Sequence, residues 1–295
     1  MSKAESVRLA VRKTYKLYIG GAFPRSESGR SYAVTSSRGD FLANASKASR
    51  KDARDAVSAA RKAFPGWWGA TPYNRGQILY RVAEMLEGRR AQFIAELAEA
   101  GTGKAEAGRA VDAAVDRLVW YAGWSDKIAA VAGSANPVAG PYFNLSSPEP
   151  TGVVAVVAPD DPLLGLVSVV APVIVTGNTC VVVASERAPL PSITLAEVFA
   201  TSDLPGGVVN VLTGSVAEIA PWLAAHMDVN ALDLTGVTDG DLAIACEEAA
   251  AENLKRVLRP AGNRGTAGAD WFADPGTRRL TAFLETKTVW HPNGL

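Results

Sequence analysis

Cysteine, histidine and methionine are scarce in this chain, at two, two and three residues out of 295. Cys180 and Cys246 lie far apart and match neither a disulfide framework nor a metal cluster, so no metal site is expected. His226, in Ala225-His226-Met227-Asp228, reads as a surface turn before a strand, and His291 has no neighbour in sequence to pair with. An excess of one charge is also lacking: 30 Lys and Arg balance 30 Asp and Glu. That removes any long-range pull toward nucleic acid or an anionic membrane surface. No apolar run reaches the roughly 18 residues of a membrane span. The stretch Met1 to Arg12 has no apolar signal core, so a reducing cytoplasm is the expected location.

What is present is a chain with 48% apolar and 20% charged residues, enough for a sizeable core in one or two domains. Lys16 to Phe23, followed by Ser26 to Arg30, reads as a short hairpin whose turn takes positive backbone angles at Gly20-Gly21. Ser49-Arg50-Lys51-Asp52 is a capping box. It predicts a helix to about Phe64, with Ala53, Ala56, Val57, Ala60 and Phe64 on one stripe and Pro65-Gly66 as its end. Thr71-Pro72 opens a second helix with Ile78, Leu79, Val82 and Leu86 inward. A third, about Ala91 to Ala100, ends at Gly101. A fourth runs from Lys104 to about Ala132, burying Val111, Val115, Leu118, Val119 and Ala122. Trp67-Trp68 reads as a core anchor, with an interface role as the alternative. Arg61-Lys62 and Arg89-Arg90 read as solvated helix charges.

Then the rhythm changes. Apolar runs of strand length occupy 152–158, 179–183, 207–212, 230–234 and 254–258, separated by helical segments at about 163–176, 193–201, 216–225 and 241–253. Alternating helices and unbroken apolar strands predict a parallel sheet covered on both faces. Asn263 to Ala269 reads as a linker. Leu280 to Trp290 reads as an isolated strand, with Leu284, Thr286, Thr288 and Trp290 on alternate positions and Pro141 to Ser147 as a candidate partner in a two-stranded ribbon.

Several stretches carry a resemblance. They are Tyr18-Ile-Gly-Gly21, Pro72-Tyr-Asn-Arg-Gly-Gln-Ile-Leu79, Gly101-Thr-Gly-Lys104, Thr151-Gly-Val-Val154, Leu204-Pro-Gly-Gly-Val-Val-Asn-Val-Leu-Thr-Gly214, Asp233-Leu-Thr-Gly236 and Asn253-Leu-Lys-Arg-Val257. Their order and spacing resemble the aldehyde dehydrogenase family over about Lys16 to Gly262, and Leu284 to Val289 resembles that family's C-terminal strand. The resemblance implies an α/β, Rossmann-like doubly wound parallel sheet with an N-terminal helical and hairpin region and a C-terminal oligomerisation strand. It divides the chain into a cofactor-binding-like domain over 1–262 (hairpin and helices 1–135, sheet core 151–262), oligomerisation arms at 136–150 and 270–295, and a linker at 263–269 in place of the catalytic domain.

The family's chemistry is thiolate attack on an aldehyde, hydride transfer to NAD(P) and hydrolysis of a thioester, which needs a nucleophile, a base and an oxyanion donor. Where the resemblance implies an asparagine amide for the oxyanion, this chain has Asp160-Asp161 before Pro162. Two aspartates there read as helix caps, with a new acid–base pair as the alternative. The implied general base falls on Arg259 or Pro260, and a guanidinium cannot take a proton from water. No residue matches the nucleophile, and a cysteine within an apolar strand, like Cys180, is usually a small hydrophobe. The implied cofactor positions are mixed. Glu186 remains in Val183-Ala184-Ser185-Glu186 without its lysine; Gly214 remains, but Val216 and Ala220 replace glycines; Thr235 and Gly236 remain, but Val237 replaces a serine. Asp239 and Asp241 stand at the next helix start, where they would cap it and repel phosphate.

The expectation is therefore an aldehyde-dehydrogenase-like pseudoenzyme with no catalytic residues at Asp160, Asp161 or Arg259 and no cofactor. It would be a structural or regulatory subunit partnered with a full-length aldehyde dehydrogenase or with itself, and with neither nucleic acid nor membrane. The alternatives are an NAD(P)-binding module that uses Glu186, Gly214, Thr235 and Gly236, or an aldehyde oxidoreductase active only within a complex.

Overall fold

The computed structural model describes residues 12–259 and 269–293. The chain opens with strands β1 (Thr14–Tyr15), β2 (Ser31–Thr35) and β3 (Phe41–Ser46), which form a small sheet in the order β1-β3-β2. The expected hairpin shrinks to a tight turn. Ile19 bridges Ala22 around Gly20 and Gly21, both at positive φ, but Tyr18 bridges Val211 and residues 26–30 are not a strand. Asn210 supplies the reason, since its Oδ1 accepts from the Gly20 N–H at 2.9 Å and draws the turn onto the main sheet.

Four long helices follow: α1 (Arg50–Gly69), α2 (Pro72–Gly88), α3 (Arg90–Ala100) and α4 (Lys104–Ala122). The Ser49–Asp52 capping box is present, as is the Thr71 cap followed by proline. Pro65 does not end α1. It cannot donate to the preceding turn, yet the helix continues because Trp67 is buried and its indole N–H donates to Ile174 O at 2.8 Å. The predicted fourth helix is two. It stops at Ala122 and resumes as α5 (Ile128–Ala132), because Ser125 in the intervening turn packs against Gly76 of α2, where any Cβ would collide with it. Val119, expected inward, is exposed, while Ala107, Ala114, Arg117 and Tyr121 are buried beside Val111 and Leu118. Arg61 and Arg89, read as solvated, are engaged: Arg61 donates to Asn230 Oδ1 at 2.7 Å, and Arg89 pairs with Glu197 at 3.1 Å.

Next come β4 (Ser134–Asn136), β5 (Tyr142–Pro150), β6 (Val153–Val157), α6 (Leu164–Val175), β7 (Thr179–Val183), α7 (Leu190–Phe199), β8 (Val209–Leu212), α8 (Val216–Ala225), β9 (Ala231–Asp233), α9 (Gly240–Ala251) and β10 (Arg256–Leu258). The five-stranded sheet runs β10-β9-β6-β7-β8, with every pairing parallel. Val154, Val156, Cys180 and Val182 face α6, α7 and the helical layer; Val153, Val157, Val181 and Val183 face α1, α8 and α9. The expected Rossmann-like doubly wound sheet is therefore present. Every residue of α6 is buried, so this helix is the centre of the core. Because the chain goes from β6 outward to β8 and then back to β9 on the other side, its topological switch point lies between β6 and β9.

After α10 (Arg278–Thr281) the last strand, β11 (Leu284–Pro292), pairs antiparallel with β5 along its whole length. The partner is the expected segment, but β4 adds a third strand on the other side of β5, so the arm is a sheet in the order β11-β5-β4. The third strand, only three residues long, pairs the free side of β5 over Asn144 to Ser146. Only Leu284 of β11 is buried; the expected alternation does not bury Thr286, Thr288 or Trp290. The linker expected at 263–269 lies outside the described residues apart from Ala269, as does Pro260.

Candidate functional site

In a doubly wound sheet, ligands settle in the crevice outside the carboxyl ends of the strands at the switch point. Here that crevice is bordered by Ala158 to Asp161 after β6 and by Leu234 to Asp239 after β9. Nearby helix N-termini offer unpaired amides that suit an anion.

The chain's own carboxylates occupy those amides. Asp161 Oδ1 accepts from Leu163 N at 3.3 Å and Gly165 N at 2.8 Å, so it caps α6. Asp160 accepts from Ser185 Oγ at 2.7 Å and has Arg187 at 3.5 Å. Glu186 accepts from the Val216 N–H at the start of α8. Asp239 caps α9 by accepting from Asp241 N at 2.9 Å and Leu242 N at 3.4 Å. Gly214 stands at φ +126° against Lys47 and Ala48, which gives it a backbone reason for being glycine. Gly236 donates its N–H to Val157 O at 3.0 Å and sits so close to the Ala158 carbonyl that no side chain fits.

Thr235 leads to a cluster that sequence reasoning missed. Asp233, at the end of β9, is fully buried; it accepts from Thr235 N at 3.0 Å, from the Thr235 hydroxyl and from Arg279 at 2.8 Å. Arg279, on α10, also donates to Thr235 Oγ1 at 2.9 Å and lies 5.5 Å from the centre of the Trp271 ring. A buried carboxylate is tolerated only with such partners. The signal was available: a lone aspartate ends an otherwise apolar strand in a sheet covered on both faces. What could not be read was its partner, 46 residues away.

The remaining candidates are dispersed. Arg259 pairs with Glu247 at 2.7 Å. Burial raises the Cys180 thiol well above its ordinary value, and burial together with Glu247 pushes the Cys246 thiol up to about 11. Both therefore stay protonated near neutrality, whereas a nucleophilic cysteine needs its thiolate. His226 is held below its ordinary value by burial; it accepts from Asp228 N at 3.1 Å and packs edge-on to Trp222, a structural arrangement. Among the described residues no three His, Cys, Asp or Glu side chains are grouped to hold a metal ion, and no helix is long and apolar enough to cross a membrane.

Residues 23–266 match the aldehyde dehydrogenase family model. An aldehyde dehydrogenase of Alternaria alternata is 34% identical over 254 residues, covering 84% of this chain and 50% of that protein. A cytosolic aldehyde dehydrogenase 1 of Elephantulus edwardii is 32% identical over 255 residues, with the same 84% and 50% coverage. Among solved structures, the NAD+ complex of an aldehyde dehydrogenase from Bacillus cereus superposes with a TM-score of 0.78 at 29% identity, covering 83% of this chain and 50% of that one. PnpE from Pseudomonas sp. WBC-3 superposes with a TM-score of 0.79 at 30% identity and the same coverage. This chain spans about half the length of the relatives it matches. The motif order, the doubly wound sheet and the family match over most of its length agree: the chain belongs to the aldehyde dehydrogenase family.

Proposed function

We propose that this chain is an aldehyde-dehydrogenase-like pseudoenzyme, a structural or regulatory subunit that associates with a full-length aldehyde dehydrogenase. The observation that carries the reading is the occupation of the switch-point crevice by the chain's own groups. Asp161 and Asp239 sit on the amide ends of α6 and α9 there, Arg279 holds Asp233 and Thr235, and farther along the sheet Glu186 takes the first amide of α8. A dinucleotide's pyrophosphate needs those amides and would be repelled by the carboxylates. The residues present do not fit that cofactor. Asp160-Asp161 offer no side-chain amide for an oxyanion, Arg259 is no carboxylate base, and both cysteines are held protonated by burial.

Association is supported by the arm. β11 and β4 are its free edges, and Phe143, Leu145, Val289 and Trp290 expose apolar surface on it. Strand addition by a partner satisfies such an edge. A full-length family member, whose C-terminal strand the closing segment resembles, is the partner of matching shape; a second copy of this chain is the other. Size-exclusion chromatography of the chain with a full-length aldehyde dehydrogenase from the same source is expected to show a joint peak. A monomer that ignores the full-length protein, or aldehyde-dependent NADH formation by this chain alone, overturns the proposal.

The retained Glu186, Gly214, Thr235 and Gly236, together with the NAD+ complex among the structural neighbours, favour one alternative, a nucleotide-binding module. Calorimetry with NAD+, NADH and NADP+ decides it: measurable heat removes the cofactor-free reading. The other alternative is an oxidoreductase completed by a partner chain. It requires turnover by the complex that is lost when Asp160 and Asp161 are changed to alanine.

A further inference from the structure

We infer that residues 271–283 form an internal strap that holds the switch-point crevice shut and can be released at one end. The segment lies past the stretch matched to the family, and its contacts are of two kinds. One end is fixed. Leu280 and Phe283 are in the core, and the Phe283 carbonyl accepts from Asn178 Nδ2 at 3.0 Å and from Thr151 N at 3.2 Å.

The other end is held by polar contacts at the mouth. Arg117, itself buried, donates to the carbonyls of Trp271 at 2.7 Å and Ala273 at 2.9 Å. Arg279 reaches over Trp271 to Asp233 and Thr235. Trp271 packs on the start of α6 so tightly that a Cβ on Gly165 would lie 3.1 Å from its ring. Phe272, between the two carbonyls that Arg117 grips, is exposed, so this end touches the body through its polar contacts and the Trp271 ring.

Core anchors at one end and hydrogen-bonded grips at the other are the arrangement of a local opening unit, whose free energy is below that of global unfolding. Release that runs from Trp271 up to the Leu280 anchor swings Trp271 away from the start of α6 and lifts Arg279 off Asp233 and Thr235. It also leaves the Asp233 carboxylate without its cation, so closure is restored by a positive charge at this point, not by a phosphate. The strap goes beyond the pseudoenzyme proposal and does not depend on it.

Thr235 is half-buried beneath Arg279, so a thiol at this position reads the opening. In a Thr235→Cys variant, maleimide labelling is expected to be slow, and both native cysteines, being buried, give a low background. Adding Arg279→Ala is expected to raise the labelling rate about ten-fold or more, as expected when a local opening loses its main grip. Arg279→Lys should restore part of the protection. Trp271→Ala keeps the ion pair, serves as the second variant if Arg279→Ala does not fold, and should also speed labelling. Equal rates with and without Arg279, or with and without Trp271, in proteins of unchanged circular dichroism overturn the strap. Adding NAD+ to the opened variant separates the two ideas: protection would revive the nucleotide-module reading while leaving the strap standing.

Discussion

Asp233 and Arg279 form a pair whose members are 0% and 17% exposed, so the loss of one leaves the other unpaired. Removing either alone strands a buried charge, and Asp233→Ala or Arg279→Ala is expected to cost about 3–5 kcal/mol in urea denaturation. An apolar double replacement, Asp233→Leu with Arg279→Met, is expected to recover most of that loss. Single-variant losses no larger than those of a surface pair would show that the contact holds nothing. Gly236 allows a second test. Gly236→Ala pushes a methyl into the Ala158 carbonyl and should cost on the order of 3 kcal/mol whether or not any nucleotide binds. Normal stability in that variant would return Gly236 to the list of ligand contacts.

Glu96 on α3 sets a pH dependence. Burial raises its carboxyl above the ordinary value, partly offset by hydrogen bonds from Thr194 at 2.9 Å, Gln92 at 3.2 Å and Tyr15 at 3.3 Å and by the charge of Lys13. Because the folded value is the higher one, the fold favours the protonated form. The group's stabilising contribution is complete below the unfolded value and is lost as pH rises through the folded one. Glu96→Gln removes that loss, so the Tm of the variant relative to the parent should climb as pH rises through and above the ordinary carboxylate range. A pH-independent difference would sink this assignment.

At the scale of elements, Trp67 explains why α1 outlasts its proline. Trp67→Phe is expected to cost about 1 kcal/mol for the lost bond to Ile174, and Trp67→Ala about 3–5 kcal/mol by calorimetry. The five parallel strands and the helices between them were legible because their signal is local: apolar runs of strand length alternate with helical stretches. Capping boxes are local too, and Ser49 and Thr71 were read correctly. What was illegible depends on neighbours distant in sequence. The break between α4 and α5 follows from Ser125 meeting Gly76, and β4 follows from room beside β5. In the candidate site the capping role of Asp161 was legible from its place before Pro162. The grip on Asp233 was not, because Arg278-Arg279 looks like any solvated pair until the fold brings one of them back to the sheet.

For the molecule as a whole, the arm is the testable surface. Phe143 is 62% exposed, so Phe143→Asp should leave the fold's stability within about 0.5 kcal/mol. The same change is expected to abolish co-elution with a full-length aldehyde dehydrogenase; an unchanged joint peak would move the contact off the arm. The arm is also tied to the body, since Arg256 of β10 grips Glu285 of β11 through two bonds of 2.7 Å.

The pairing of β5 with β11 has a further consequence, for synthesis. β5 leaves the ribosome long before β11 is made, and at roughly 5–20 residues per second the delay is on the order of ten seconds. During that interval the nascent chain displays Tyr142, Phe143 and Leu145 on a strand that has β4 on one side while its longer neighbour does not yet exist. Whichever polypeptide reaches that strand first, a chaperone or the arm of another copy of the chain, competes with the chain's own tail for it.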